Sequence, residues 1–296
     1  MNKSSIKFII SIVISGLLGF LYFFVTSFIR ILFPEFGKRL TEISLIVFKS
    51  VLVVGIVLCL ILLIYITIRE FKYMKLFSNE LKYNGLTEVI YKEALKRRDQ
   101  YRKDKSGSGY IGAQICILNY LSFNKRYEEA LEIVKEFDFK ELKKAMKIEY
   151  PNAPKDKIVN YFSLLDVSYA TLNECGKFDE ADELYKIFET LYNLYIAKYD
   201  YLTDILNEIK FNHGIYTKNF EESQSILDIL KTSDSVYYPL LKLIYMEKTK
   251  ETDLNLIEES INAAYERIKN HPTEGFFNQF IENAKKDIYD GLNKEA

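Results

Sequence analysis

Three glycines in the segment "GSGYIG" have the spacing of a phosphate-binding turn. Gly107, Gly109 and Gly112 spell G-x-G-x-x-G, which in dinucleotide-binding proteins leads from a buried strand into a helix. The residues before Gly107 are a charged helical run, "KRRDQYRKDK", and no apolar strand lies nearby. We therefore interpret the segment as a flexible connector and not as a nucleotide site.

The remaining reactive side chains are too scattered to form a catalytic or metal site. His213 and His271 are far apart, and neither has a Cys or carboxylate at metal-ligand spacing. His213 ends an apolar stripe, so we expect a packed or capping residue. The acid pair Glu128-Glu129 diverges around a helix, which disfavours paired acid–base chemistry. We expect no enzyme, no cofactor and no metal.

Two long apolar runs dominate the N-terminal quarter. Residues 8–29 and 50–68 contain no charged side chain, and at about 1.5 Å per residue each can span the roughly 30 Å hydrocarbon core of a bilayer. We predict transmembrane helices at about 8–29 and 46–68, joined by a tight turn at Pro34 and Gly37. A cleaved signal peptide is the alternative, but the run is long and no small-x-small cleavage site follows it.

Small residues recur every four positions in both spans. Ser11, Ser15 and Gly19 do so in the first, and Gly55 and Cys59 in the second. Such spacing lets helix backbones approach closely in lipid. A simple hairpin anchor explains it, and a homo-oligomer remains open as a second interpretation.

Basic residues and cysteines favour cytoplasmic termini. The end flanks hold Lys3, Lys7, Arg69, Lys72, Lys75 and Lys82, against Arg30, Lys38, Arg39 and Lys49 in the connection. The three cysteines occur singly and give no disulfide framework. The Lys-, Ile-, Asn- and Tyr-rich composition without Trp is typical of an AT-rich bacterial genome.

A basic segment follows the second span. The helix should continue to Asn84-Gly85, and Thr87 should cap the next helix. Residues 70–109 are thus interpreted as juxtamembrane helices and a Gly/Ser linker, with a set of basic residues facing anionic headgroups: Arg69, Lys72, Lys75, Lys96, Arg97 and Arg98. The chain beyond residue 68 has more acidic than basic residues, which argues against nucleic-acid binding.

From residue 110 onward the apolar residues follow a 3.6-residue period, and no stretch alternates like a strand. The pattern predicts an all-α domain, 110–296, of about four helix pairs. "PNAP" at 151–154 breaks it, and a final amphipathic helix from about Glu274 to Leu292 is the candidate cap.

One phrase recurs at the start of the second helix of three pairs. Its packing positions are Tyr127 and Ala130, then Gly176, Phe178 and Ala181, then Phe220 and Ser223. The phrase resembles the tetratricopeptide repeat, whose second helix opens with Gly-x-(Tyr/Phe)-(Asp/Glu)-Glu-Ala. Lys125 and Lys218 stand at the family's glycine position, and the copies are spaced more widely than the family's 34 residues.

The resemblance implies an α-solenoid whose concave face binds a protein or peptide partner. By position, the residues that could face such a groove are Asn119, Asn160, Tyr169, Asn173, Asn207 and Asn212. We expect a membrane-anchored adaptor or scaffold at the cytoplasmic face of a bacterial cell membrane. The alternatives are an accessory or immunity component of a transporter or secreted-peptide system acting through its transmembrane hairpin, and a peptide-sensing regulator.

Overall fold

The computed structural model describes residues 20, 22, 24–25, 28–29, 31–105, 107–149, 152, 154–195, 199, 202–233 and 235–295. By its internal contacts the chain forms two compact units, residues 1–76 and 77–296. The described residues form helices and connecting turns without a β-strand. The predicted all-α class is confirmed for this part of the chain.

The first long helix, α1, runs from Pro34 to Tyr83. It begins directly after a bend at Phe33, so the segment predicted to turn at Pro34 and Gly37 is already helical. The fixed φ of proline suits the first turn of a helix, where no N–H is needed. The predicted first span, 8–29, lies largely outside the described residues, although the described positions between 20 and 32 are helical.

The end of α1 has the predicted caps. The backbone N–H groups of Asn84 and Gly85 both donate to the Glu80 carbonyl at 2.8 Å, and Gly85 has φ +81°. The hydroxyl of Thr87 then accepts from the Ile90 N–H and caps the next helix. Left-handed glycine after a helix and Thr at an N-cap satisfy backbone groups that the helix leaves unpaired.

The second unit contains eleven further helices among the described residues. In chain order they are α2 (Glu88–Tyr101), α3 (Ser108–Phe123), α4 (Tyr127–Val134), α5 (Phe139–Glu149), α6 (Lys155–Glu174), α7 (Phe178–Tyr195), α8 (Thr203–Tyr216), α9 (Phe220–Thr232), α10 (Tyr237–Thr249), α11 (Leu254–Ile268) and α12 (Glu274–Glu295).

The helices pack with their neighbours in a regular order. Four successive hairpins pair α3 with α4, α6 with α7, α8 with α9, and α10 with α11. The first helix of each hairpin also packs on the first helix of the next, so that α3, α6, α8 and α10 form one row that α12 extends. The extra helix α5 lies against α7 instead.

The basic helix α2 belongs to this second unit. It packs on α3 and buries Ile90 and Ala94, each 1% exposed. The sequence places a domain boundary at residue 110, whereas the compact unit begins at residue 77. The reason is that the few apolar residues of α2 lie on one face, which is enough to dock a short helix despite its many charges.

The glycine-rich segment opens α3 and is not an extended linker. Gly107 is the N-cap residue, and α3 begins at Ser108. A Cβ at Gly109 would lie 3.1 Å from the ring of Tyr101, and one at Gly112 would lie 3.4 Å from the Asn160 amide nitrogen. The small residues therefore let α2 and α6 approach α3.

The turns inside three hairpins share one backbone conformation. Lys125, Gly176 and Lys218 have φ of 55°, 68° and 59°. They are the three positions that the sequence aligns with the family's glycine, and the left-handed region is where a residue after a helix is most often glycine.

Candidate functional site

The small residues of the repeated phrase lie where the hairpins close. Ala130, Ala181 and Ser223 are all fully or almost fully buried. Ser223 also donates its hydroxyl to the Phe211 carbonyl at 3.1 Å. A Cβ on Gly214 of α8 would lie 2.4 Å from that hydroxyl, so the two helices touch at this point.

The aromatic residues of the phrase do not share one role. Tyr127 and Phe220 are half-buried, and the ring of Phe220 meets that of Tyr245 edge-on at 6.1 Å. Phe178, in contrast, is 61% exposed. The prediction that Phe178 is a packing position is therefore wrong: as the first residue of α7 it remains mostly exposed.

The predicted groove residues do not form one surface. Tyr169, Asn173 and Asn207 are buried, at 2%, 9% and 6% exposure, so they do not face a partner as predicted. Asn119 is half-buried, and the amide of Asn160 donates to the Ser108 hydroxyl at 2.9 Å, tying α6 to the start of α3.

The last of the predicted groove residues, Asn212, contacts a group of acidic side chains. Asn212 donates its amide to a carboxylate oxygen of Asp166 at 2.9 Å. Asp166 belongs to α6, and Asp204 and Glu208 lie one turn apart on α8. We call Asp166, Asp204 and Glu208 the acidic cluster. The sequence offered one signal for it, a lone aspartate inside the apolar run "YFSLLDVSYA".

The acidic cluster lacks neutralising charges. Ser235 donates to Asp204 at 3.2 Å, but no ion pair involving the cluster occurs among the described residues. All three carboxylates are half-buried: water still reaches them, yet protein atoms surround them. Carboxylates in such a place are costly unless paired.

The electrostatics agree with that description. Burial raises the pKa of Asp166 to about 6, partly offset by the hydrogen bond from Asn212. The pKa of Glu208 lies well above its ordinary value, first through burial and then through the negative charges of Asp166 and Asp204. The same three charges add to the raised pKa of Tyr237, which burial dominates. Perturbed carboxylates of this kind mark candidate functional sites.

A second group of polar side chains lies around Tyr127 and Glu174, near the turns of the hairpins. The hydroxyl of Tyr216 donates to Glu174 at 3.0 Å. Burial raises the pKa of Tyr127 to about 12, with further contributions from Glu174, Asp287 and Glu247. Side chains from α4, α6, α10 and α12 therefore lie close enough to interact. Here two of the three carboxylates have basic partners, because Lys125 pairs with Asp287 at 2.5 Å and Lys248 with Glu247 at 2.9 Å.

A surface groove of about 450 Å³ lined by α4, α5, α6 and α7 provides a contrast. Its floor includes Leu172, Leu184 and Ile187. Lys140 and Glu183 on its rim are paired at 3.6 Å. The groove is amphipathic with mixed charge, whereas the acidic cluster has charge of one sign.

The two histidines are accounted for by packing and capping. The ring of His213 stacks on Tyr185 at 3.7 Å between centroids, and its Nδ1 lies 3.3 Å from a Glu222 carboxylate oxygen. His271 accepts the Thr273 N–H at 3.2 Å just before α12. Among the described residues no three His, Cys, Asp or Glu side chains could hold a metal ion.

The predicted membrane-surface residues lie on α1 and α2. Arg69, Lys72 and Lys75 are exposed on α1. On α2, Lys96 pairs with Glu93 at 3.1 Å and Arg98 with Asp99 at 3.3 Å, while Arg97 is half-buried. Within the described residues, one helical stretch, Leu45–Tyr83, is long and apolar enough to cross a membrane.

Comparison with known proteins gives no relative. No family model, no curated protein and no solved structure matches the chain.

Proposed function

We propose that this protein is a membrane-anchored adaptor that holds a protein or peptide partner at the cytoplasmic face of a bacterial membrane. In this proposal residues 8–29 and the apolar part of α1 form a two-helix anchor. The four hairpins form a solenoid similar to tetratricopeptide repeats. Their regular order and the three matching left-handed turns support that assignment.

The observation that carries the proposal is the unneutralised acidic cluster on two first helices of the array. In tetratricopeptide repeats, polar residues on the first helix of each hairpin often contact the partner, and solenoids bind partners on their concave surfaces. Desolvated carboxylates without a basic partner cost folding free energy. A segment of the partner bearing Lys or Arg would complete them, so we propose a cationic partner segment.

An affinity experiment with the full-length chain in native membranes tests the adaptor. The variant carries Asp166→Asn and Glu208→Gln, which remove charge and keep shape. The control carries Glu258→Gln and Glu259→Gln, two exposed carboxylates on α11. Wild type and control should retain the same partner, and the cluster variant should lose most of it. Raising the salt concentration should weaken retention in the same way.

Three outcomes would contradict different parts of this proposal. Equal retention by the cluster variant would show that the acidic cluster is not the binding surface. Recovery of an integral membrane protein that depends only on residues 1–68 would favour the accessory or immunity role through the transmembrane hairpin. Retention of a short secreted peptide in place of a protein would favour the peptide-sensing alternative.

A further inference from the structure

The last helix has two contact faces with different chemistry. One face of α12 is apolar: Phe277, Ile281, Ala284 and Ile288 are buried in a cluster with residues of α10 and α11. The other face carries residues at 275–276, 279–280, 283 and 287, which also recur every turn of a helix. This second face contacts the beginning of the same compact unit.

The two backbones meet at a pair of glycines. A Cβ on Gly275 would lie 2.7 Å from the backbone nitrogen of Asn84 and from the carbonyl carbon of Tyr83. A Cβ on Gly85 would lie 2.9 Å from the carbonyl oxygen of Gly275. No larger residue fits at Gly275 without moving the backbone, so the start of α12 lies directly on the end of α1.

Polar contacts continue along the same face. The Gln279 side chain accepts the Leu86 N–H at 2.8 Å and donates to the Leu86 carbonyl at 3.5 Å. Further on, the Asn283 amide donates to the Phe123 carbonyl at 3.4 Å. When the two surfaces separate, water can form hydrogen bonds with the groups that Gln279 and Asn283 now contact.

Two more contacts complete this junction, which we call the seam. The ring of Phe123 lies 5.3 Å from that of Phe276 and 6.1 Å from that of Phe280. The Lys125–Asp287 ion pair is partly exposed, at 57% and 27% of the two side chains, so water screens it. Among the described helices α12 packs lengthwise on α10 and α11, but not on α2 or α3.

We infer that the seam is a releasable clasp: α12 stays docked on α10 and α11 while its second face separates from residues 83–86 and from the end of α3. The permanent face is apolar and continuous. The seam consists of one glycine contact, hydrogen bonds, a screened ion pair, the buried Leu86 and one small aromatic cluster, whose Phe276 and Phe280 rings also pack against the α10–α11 cluster. Local openings occur where buried apolar contacts are few. Release frees the turn after α1 from the last helix and leaves the four hairpins folded.

Hydrogen exchange of the full-length chain in detergent, followed by mass spectrometry, tests the clasp. The Leu86 amide is the reporter, because its partner is the Gln279 side chain. Peptides covering 84–87 should exchange at least about 10-fold faster than those of α6 and α7. Gly275→Ala should accelerate that segment further and leave α6 and α7 unchanged. Gly291→Ala, on the same helix with no atom within 4 Å of the added carbon, should change neither.

A locked form supplies the opposite perturbation. A short bismaleimide across Lys125→Cys and Asp287→Cys should slow exchange at 84–87. If Gly275→Ala does not fold, Gln279→Ala removes the two hydrogen bonds without adding volume and should accelerate the same segment. Exchange at 84–87 as slow as that of α6 in the wild type would overturn the clasp. So would a substitution that accelerates α6, α7 and the seam together, because the seam would then belong to the cooperative core.

Discussion

The left-handed turn at Lys218 gives the sharpest test of the repeated architecture. A residue with a Cβ loses about 1–2 kcal/mol in this conformation, while the greater freedom of unfolded glycine offsets about 0.4–1 kcal/mol. Lys218→Gly should therefore stabilise the chain by about 0.5–1 kcal/mol. The Lys218 side chain is exposed, so little else is lost by its removal.

Gly176→Ala is the mirror experiment. No atom lies within 4 Å of a Cβ built at Gly176, so the substitution introduces no clash and its cost is conformational. We expect destabilisation by about 0.5–1 kcal/mol, for the same reason with the opposite sign.

Thermal unfolding of the full-length protein in detergent, monitored by circular dichroism, measures both changes. For a unit of this size each should shift the Tm by about 1–4 °C, upward for Lys218→Gly and downward for Gly176→Ala. If Lys218→Gly lowers the Tm, or if both variants move it in the same direction, the two turns are not equivalent. The repeat alignment would then lose its structural basis.

Three further predictions concern other parts of the second unit. Asp166→Asn should stabilise the chain at pH 7 by about 1–2 kcal/mol, because the raised pKa means that folding opposes ionisation of this carboxyl. By the same linkage the folded chain loses stability as the pH rises from about 4 to 6. The wild type should therefore be more stable at pH 5 than at pH 7. Denaturant titrations of Asp166→Asn should show a smaller difference in stability between these two pH values. Gly214→Ala should lower the free energy of unfolding by about 1–3 kcal/mol in the same titrations, since the added carbon overlaps Ser223. An unchanged unfolding midpoint would mean that α8 and α9 are not in contact there. Phe178→Ala should change the free energy of unfolding by less than about 0.5 kcal/mol, whereas Phe162→Ala, at a buried position, should cost about 3–5 kcal/mol. A large loss for Phe178→Ala would show that the Phe178 ring is covered.

Short sequence motifs predict where many helices begin and end, but they predict few of the contacts between helices. Asn84-Gly85 and Thr87 fix a helix end and the next helix start within four residues, where short-range hydrogen bonding decides the structure. The left-handed conformation of Lys125 and Lys218 is not predicted, because lysine carries no turn preference of its own and the alignment with Gly176 gives only their position in the repeat.

The candidate site was harder to predict for a physical reason. The polar atoms of Tyr169 and Asn173 predict a groove surface, but both side chains are buried: the Tyr169 ring meets Tyr185 at 5.8 Å, and the Asn173 amide donates to a carbonyl of its own helix. The acidic cluster joins α6 to α8, and Gln279 bonds Leu86. Helical periodicity reports one face of one helix, and it contains no information about which faces meet.

The span of that last contact has a consequence for synthesis. Leu86 and Gln279 are 193 residues apart, so at about 5–20 residues per second a ribosome needs roughly 10–40 s to make the second partner after the first. During that interval α1 is complete and the first hairpins can fold, but Phe123 has no aromatic partner from α12. The seam therefore cannot close until α12 has been synthesised, whereas α1 and the first hairpins have their own residues available earlier. A chain that stalls before α12 lacks both the Gln279 acceptor of the Leu86 amide and the Phe276 ring that meets Phe123 in the folded protein.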